Sequence, residues 1–203
     1  MQGMPDLQCK VVLLGSAKVG KSSLIRRYIT PSDSKPNSSE NVDFISKTVK
    51  WKENKVKLQI WDTVGLDNYR ATTASYFRGA DAIILVYDVT KSSTFDDLKV
   101  WMDKMSSVAS PQSLIYIIGN KCDLMVERVI SSTTAAAATE SLGAHAYLET
   151  SATEDVNVTE LFERIISDLV NLSPEDRLQR TTSTVRLGSD PIPDPPGCKL
   201  CMK

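Results

Sequence analysis

The segment Gly15-Ser16-Ala17-Lys18-Val19-Gly20-Lys21-Ser22 places two glycines, a lysine and a hydroxyl at the G-x-x-x-x-G-K-[ST] spacing that wraps backbone around a phosphate chain. The glycines let successive N–H groups face an anion. Lys21 brings a positive charge to the β and γ oxygens, Ser22 offers a hydroxyl to Mg²⁺, and Ser23 follows at the start of a helix. A second cluster, Asn120-Lys121-Cys122-Asp123, follows the apolar run Leu114 to Gly119. A carboxylate at Asp123 can accept from two adjacent donors on the guanine edge, and adenine offers no such pair. Asn120 would brace neighbouring loops and the stem of Lys121 would lie along the ring. Downstream, Glu149-Thr150-Ser151-Ala152 brings the Ala152 N–H within reach of the guanine carbonyl oxygen. Between these clusters Asp62 ends an alternating stretch where a Mg²⁺ shell needs a carboxylate, and Gly65 can bring its N–H to a γ-phosphate. The chemistry implied is binding of GTP or GDP with Mg²⁺.

The elements that must position these residues follow from periodicity. Cys9 to Leu14 is an apolar run suited to a buried parallel strand leading into the phosphate loop, and Ser22 to Ile29 reads as the helix after it. From Phe44 to Asp62 the pattern predicts a hairpin. Lys50, Lys52, Lys55 and Lys57 alternate there with Val49, Trp51, Val56 and Leu58, giving one wet and one buried face. Ala82 to Asp88 and Leu114 to Gly119 are continuous apolar runs, as in a sheet covered on both sides. Phe95, Leu98, Trp101, Met102 and Met105 recur at helical spacing, as do Leu161, Phe162, Ile165, Ile166, Leu169 and Val170. The fold class expected is a three-layer α/β P-loop NTPase domain, mostly parallel with one antiparallel edge hairpin.

These motifs in this order resemble the Ras superfamily of small GTPases, and within it the Rab family that organises vesicle traffic. The resemblance runs from about Cys9 to Leu172. It includes Val42-Asp43-Phe44, Lys57 to Thr63, Tyr69-Arg70, Tyr76-Phe77-Arg78-Gly79-Ala80 and Leu85-Val86-Tyr87-Asp88-Val89-Thr90. It implies that Phe44, Trp61 and Tyr76 form an aromatic triad read by effectors; the alternative for these residues is core or half-buried sheet aromatics. It also implies exchange-factor and GTPase-activating partners, and a monomeric switch on the cytosolic face of an intracellular membrane.

The chain departs from the family pattern at informative places. Leu66 stands where the family places a water-orienting Gln, and leucine neither donates nor accepts, so intrinsic hydrolysis is expected to be slow while nucleotide binding persists. Activating proteins of the family can supply an Arg and a Gln in trans. A non-cycling, nucleotide-bound effector module is the alternative reading. Ser39 takes the place of the Thr that joins the Mg²⁺ shell in the GTP state, so the metal set expected is Ser22, Ser39 and Asp62. Asp33 stands where the family holds an aromatic over the guanine, a change that favours faster exchange. Ala17 puts a methyl close to the γ-phosphate, and Thr153 replaces a common Lys.

Composition agrees with one globular domain over residues 1–172 and a flexible tail over 173–203. Of 203 residues, 41% are hydrophobic and 24% charged, ordinary for a soluble domain. The formal net charge of −1 gives no reason to expect nucleic-acid binding. No apolar stretch approaches the roughly 18 residues of a membrane span, and Met1 to Leu7 lacks the order of a signal peptide. Thr181 to Gly197 is rich in Ser, Thr and Pro. Two cysteines near the end, Cys198 and Cys201, resemble doubly prenylated Rab termini, although their spacing matches no standard box. Paired lipids there would anchor the chain to a membrane. Cys198 and Cys201 could also form half of a zinc site, but Cys9, Cys122 and the sole histidine, His145, belong elsewhere in the chain.

Overall fold

A computed structural model describes residues 6–30, 44–63, 78–106 and 109–172. Its core is a six-stranded sheet of β1 (Leu7–Leu14), β2 (Phe44–Trp51), β3 (Asn54–Asp62), β4 (Ala82–Asp88), β5 (Leu114–Asn120) and β6 (Ala146–Thr150), in the order β2-β3-β1-β4-β5-β6. Only β2 runs antiparallel to its neighbour; the other four pairings are parallel. The helices among the described residues are α1 (Lys21–Ile29), α2 (Ser92–Ser106), α3 (Ser132–Ser141) and α4 (Val158–Val170).

The layers follow from which residues alternate. Val11 and Leu13 of β1, Val56, Leu58 and Ile60 of β3 and Ile84 and Val86 of β4 face α1 and α4. The opposite faces, through Val12, Leu14, Ile83, Leu85 and Tyr87, meet Leu98, Trp101 and Met105 of α2 and Ala135 of α3. All seven residues of β4 are buried, because a central parallel strand has helices on both sides. The hairpin behaves differently: β3 buries Val56, Leu58 and Ile60 and leaves Lys55 exposed between them and the turn. α4 owes its stability to an unbroken apolar stripe, Leu161, Phe162, Ile165, Ile166 and Leu169, all buried. The Phe162 ring stacks on Tyr28 of α1, with centroids 3.9 Å apart and planes 15° from parallel. α3 has no such stripe, being built of Thr and Ala, and is started instead by Ser131, whose hydroxyl accepts from the Thr134 N–H at 3.1 Å.

On the side of the sheet away from the hairpin, His145 and Asp168 tie the last strand to α4. Asp168 Oδ2 accepts from Tyr116 Oη at 2.9 Å and Arg164 Nε at 3.0 Å, and lies 3.1 Å from His145 Nε2. His145 thus has a structural setting, its ring edge-on to Tyr116. Burial pushes the Asp168 carboxyl up, but the bonds from Tyr116, His145 and Arg164 outweigh it and hold its pKa below the ordinary value of 3.8. A depressed carboxyl stabilises the fold above its unfolded pKa and loses that contribution as pH falls through its folded value. The stability of wild type, measured by urea unfolding, should therefore fall more between pH 6 and pH 3 than that of Asp168→Asn; parallel pH profiles would refute this role. Phe162→Ala removes a fully buried ring from between α4 and α1 and should cost about 3–5 kcal/mol in the same assay.

Candidate functional site

The C-terminal ends of β1, β3, β4, β5 and β6 open on one edge of the sheet, the place where parallel α/β folds bind ligands. Among the described residues, the loops after β1, β4, β5 and β6 begin there. The first leaves β1 at Gly15, with φ +135°. A Cβ on Gly15 would stand 2.0 Å from the Val86 carbonyl oxygen of β4, so only glycine lets the loop pass this close. The loop ends at Gly20, φ +103°, which caps α1 without any side-chain hydrogen bond. The amides of the first turn, carried by Lys21, Ser22 and Ser23, are thus presented at a positive helix end.

Within this loop Val19 turns into the core while Ala17 and Lys18 are exposed. The Lys21 side chain is buried and folds back along the loop, donating to Gly15 O at 2.8 Å and Ser16 O at 2.9 Å. Its ammonium therefore lies across the concave side of the turn. Ser16 Oγ donates to Asp97 Oδ2 of α2 at 2.5 Å, tethering the loop to that helix. Asp62 is buried at the end of β3, in register with Leu13, and the next residue, Thr63, donates its hydroxyl to Leu13 O at 2.7 Å.

The base-side loops are cross-linked to the phosphate loop. Asn120, 1% exposed, donates from Nδ2 to Val19 O at 2.8 Å and accepts from Thr150 Oγ1 at 3.2 Å. The Cys122 N–H donates to Thr150 O at 3.1 Å. Lys121 takes a left-handed φ of +67° and reaches Asp88 Oδ2 at 2.6 Å, while Asp88 Oδ1 accepts from both the amide and hydroxyl of Thr90. Burial raises the Asp88 carboxyl, but Lys121 and Thr90 more than reverse that, so it stays ionised and holds Lys121 in place. Burial, Glu149 and Asp123 push the Cys122 thiol up, which keeps it a neutral packing group.

Asp123 differs from these neighbours. Its Oδ1 is buried and meets no hydrogen-bond donor of the protein. Such a carboxylate oxygen is costly unless a donor arrives from outside. Beyond it, Ser151 and Ala152 form a turn closed by a two-way bridge between Ser151 and Val156, with Glu154 N donating to Ser151 Oγ at 3.0 Å. Arg27 of α1 donates to Ala152 O at 2.8 Å and Thr153 O at 3.0 Å. Beneath the turn, Glu149 is gripped at both oxygens by Arg128, at 2.6 and 2.9 Å, and accepts from Tyr147 Oη at 2.7 Å. That fork and the Tyr147 bond outweigh burial and lower the Glu149 pKa.

A guanine nucleotide fits these groups: amides and an ammonium at one end, a carboxylate with one buried, unpartnered oxygen at the other. For Mg²⁺, Ser22 and Asp62 offer hard oxygen donors. Among the described residues there is no group of three or more His, Cys, Asp or Glu that could hold a metal. Phe44 and Trp61 lie side by side at the ends of paired strands, ring centroids 4.8 Å apart, with Phe44 42% exposed and Lys10 Nζ 5.2 Å from the Trp61 centroid. Ser39, Gly65, Leu66, Tyr76, Cys198 and Cys201 lie outside the described residues.

Sequence reasoning gave no role to Asp88, Thr63, Thr150, Arg27, Asp97 or Arg128. Only Asp88 left a local signal, an acid closing an apolar run with a Thr two residues on, the pattern of a side-chain-capped turn.

Comparison with known proteins agrees with the geometry. The model of the Ras family matches residues 10–171. The chain is 36% identical over 192 residues to the Ras-related protein Rab-12 of Mus musculus, covering 94% of this chain and 79% of that one. It is 35% identical over 199 residues to Rab-3C of Bos taurus, covering 95% and 87%. Against Rab11A of Lotus japonicus it is 39% identical over 168 residues, covering 82% and 74%. With the phosphate loop, the Asn120 to Asp123 cluster and the sheet order in place, the chain belongs to the Ras family, as a Rab-like small GTPase.

Proposed function

We propose that this protein is a GTP-binding switch of intracellular membrane traffic whose own hydrolysis of GTP is slow. The guanine reading is carried by Asp123, a buried carboxylate oxygen lacking a donor at the place where two N–H groups of guanine would arrive. Lys21, Ser22 and the first amides of α1 would hold the phosphates. Ser22 and Asp62, with Ser39 in the GTP state, would hold Mg²⁺, which would supply positive charge to offset that of the phosphates. Phe44, Trp61 and Tyr76 would form the surface that effectors read, and Cys198 and Cys201 would carry the lipids that hold the chain on the cytosolic face of a membrane.

Slow turnover follows from Leu66. Phosphoryl transfer in this class depends on positioning a water in line with the γ-phosphate, and an apolar side chain cannot orient it. Intrinsic rates are on the order of 10⁻⁴ per second even with a Gln present. A partner supplying the missing groups would restore cycling. The same leucine favours a second reading, a nucleotide-bound module that recruits effectors without cycling.

Two measurements test this. Asp123→Asn exchanges one acceptor oxygen for a donor and should raise the dissociation constant for GDP by roughly 10²–10³ in titration with a fluorescent nucleotide; unchanged affinity would remove Asp123 from base recognition. In single-turnover assays of the full chain preloaded with GTP and Mg²⁺, wild type should retain GTP while Leu66→Gln converts it to GDP. Equal rates would show that Leu66 is not the block. If neither protein hydrolyses, even with activating proteins of the family present, the non-cycling module is the better description.

A further inference from the structure

We propose that Arg27 is a positioning residue for base recognition: from the far end of α1 it holds the turn whose amide reads the 6-position of guanine. This rests on the reading of Asp123 and Ala152 as base contacts. Arg27 Nε donates to Ala152 O at 2.8 Å and Arg27 Nη2 donates to Thr153 O at 3.0 Å, across more than a hundred residues of sequence. One guanidinium thus grips the carbonyls of two successive residues. A planar fork fixes the orientation of the peptide between them, which a single donor on a flexible stem would not.

The geometry of the turn makes that grip consequential. Its other anchors lie on its two flanks. The Ser151 N–H and carbonyl are bridged to Val156, the Glu154 N–H goes to Ser151 Oγ, and Asn157 Nδ2 holds Glu149 O at 2.8 Å. None of these bonds is made to the carbonyls of Ala152 and Thr153, where Arg27 attaches. An N–H donates along a direction set by its own peptide plane, and a hydrogen bond weakens steeply once bent. The Ala152 N–H shares its plane with the Ser151 carbonyl, which Val156 holds, and Arg27 holds the next two planes, so the Cα of Ala152 between them is fixed from both sides. Thr153 strengthens the dependence, since a Lys there would bring a second cation to the same loop and the threonine brings none.

Arg27 also gives α1 a contact at each end of the ligand. The helix begins at Gly20, where its first amides face the phosphates, and its seventh residue reaches the base loop. At about 1.5 Å per residue that interval spans roughly 10 Å, the scale of the separation between phosphate and base in a nucleotide.

The test compares release of GDP and of 6-thio-GDP from wild type, Arg27→Lys and Arg27→Gln, each as the full chain with Mg²⁺. Sulfur is a weak acceptor, so the wild-type protein has already lost most of the Ala152 bond to the thio nucleotide. If Arg27 aims that amide, Arg27→Gln releases GDP on the order of tenfold faster and 6-thio-GDP less than threefold faster, with Arg27→Lys between. Equal acceleration of both nucleotides would mean a merely structural role, and no acceleration would mean no role; either overturns the proposal. Should Arg27→Gln fail to fold, the Lys variant alone decides by the same ratio. A wild-type chain that holds no guanine nucleotide would instead overturn the nucleotide reading itself, and Arg27 with it.

Discussion

The carboxamide of Asn120 is the joint on which the ligand edge of this molecule depends. Three loops meet there: the phosphate loop after β1, the turn after β5 and the turn after β6. Asn120 donates to Val19 O of the first, stands at the root of the second and accepts from Thr150 at the root of the third. It is buried, so each bond is made in surroundings where an unmade one would cost about 1–3 kcal/mol. Other choices follow from it. Position 20 has no room for a Cβ, which would stand 2.2 Å from Asn120 Nδ2, and Gly119 is bare because Tyr87 Oη would lie 2.6 Å from a Cβ there. Tyr87 Oη in turn lies 3.2 Å from Tyr147 Oη, and its own ionisation is pushed up to about 12, chiefly by burial.

Charge is sorted around that joint so that the groups facing a ligand are distinct from those that hold the frame. Lys121 is held by Asp88 and Arg128 by Glu149, one pair on either side of β5. Both carboxyls are kept ionised by hydrogen bonds that outweigh their burial, and such pairs are useful mainly because breaking one strands a charge. Asp123, one turn from Lys121, has an oxygen that no protein group satisfies. Lys21, at the opposite end, rests on carbonyls of its own loop, contacts that phosphate oxygens would supplement. Positive charge gathers where phosphate would lie and negative charge where ring N–H groups would, so the site has an orientation before any nucleotide enters.

What could be read beforehand divides by distance along the chain. β4 matched its apolar run residue for residue because a strand buried on both faces has no polar interruption to blur its ends. The hairpin was legible in the alternation of lysines with Val56 and Leu58, and the phosphate loop in a spacing of eight residues. α3 was not singled out, since Thr133 to Thr139 is nearly uniform in size and hydropathy and leaves no stripe. The bonds Arg27 to Ala152 and Ser16 to Asp97 join residues 125 and 81 apart, and no local rule relates such positions. The roles of Leu66 and Ser39 came from family resemblance alone, because neither residue type announces a water or a metal by itself.

Backbone strain tells where the molecule prepares for a ligand. Among the described residues five that are not glycine take left-handed φ values: Lys18, Lys52, Lys121, Asp155 and Asn157. Lys52 turns the hairpin and is accounted for by that turn. The other four lie in the loops at the C-terminal edge of the sheet, one in the phosphate loop, one in the base loop and two beside the Ser151 turn. Each such residue costs on the order of 1 kcal/mol, and it persists only where its surroundings overdetermine it. Here the surroundings are the Asn120 joint, the Lys121–Asp88 pair and the Ser151–Val156 bridge, all formed by the protein itself. The strain is thus met during folding rather than at binding. The amides of the phosphate loop and the Asp123 carboxylate are thus held in place by bonds internal to the protein.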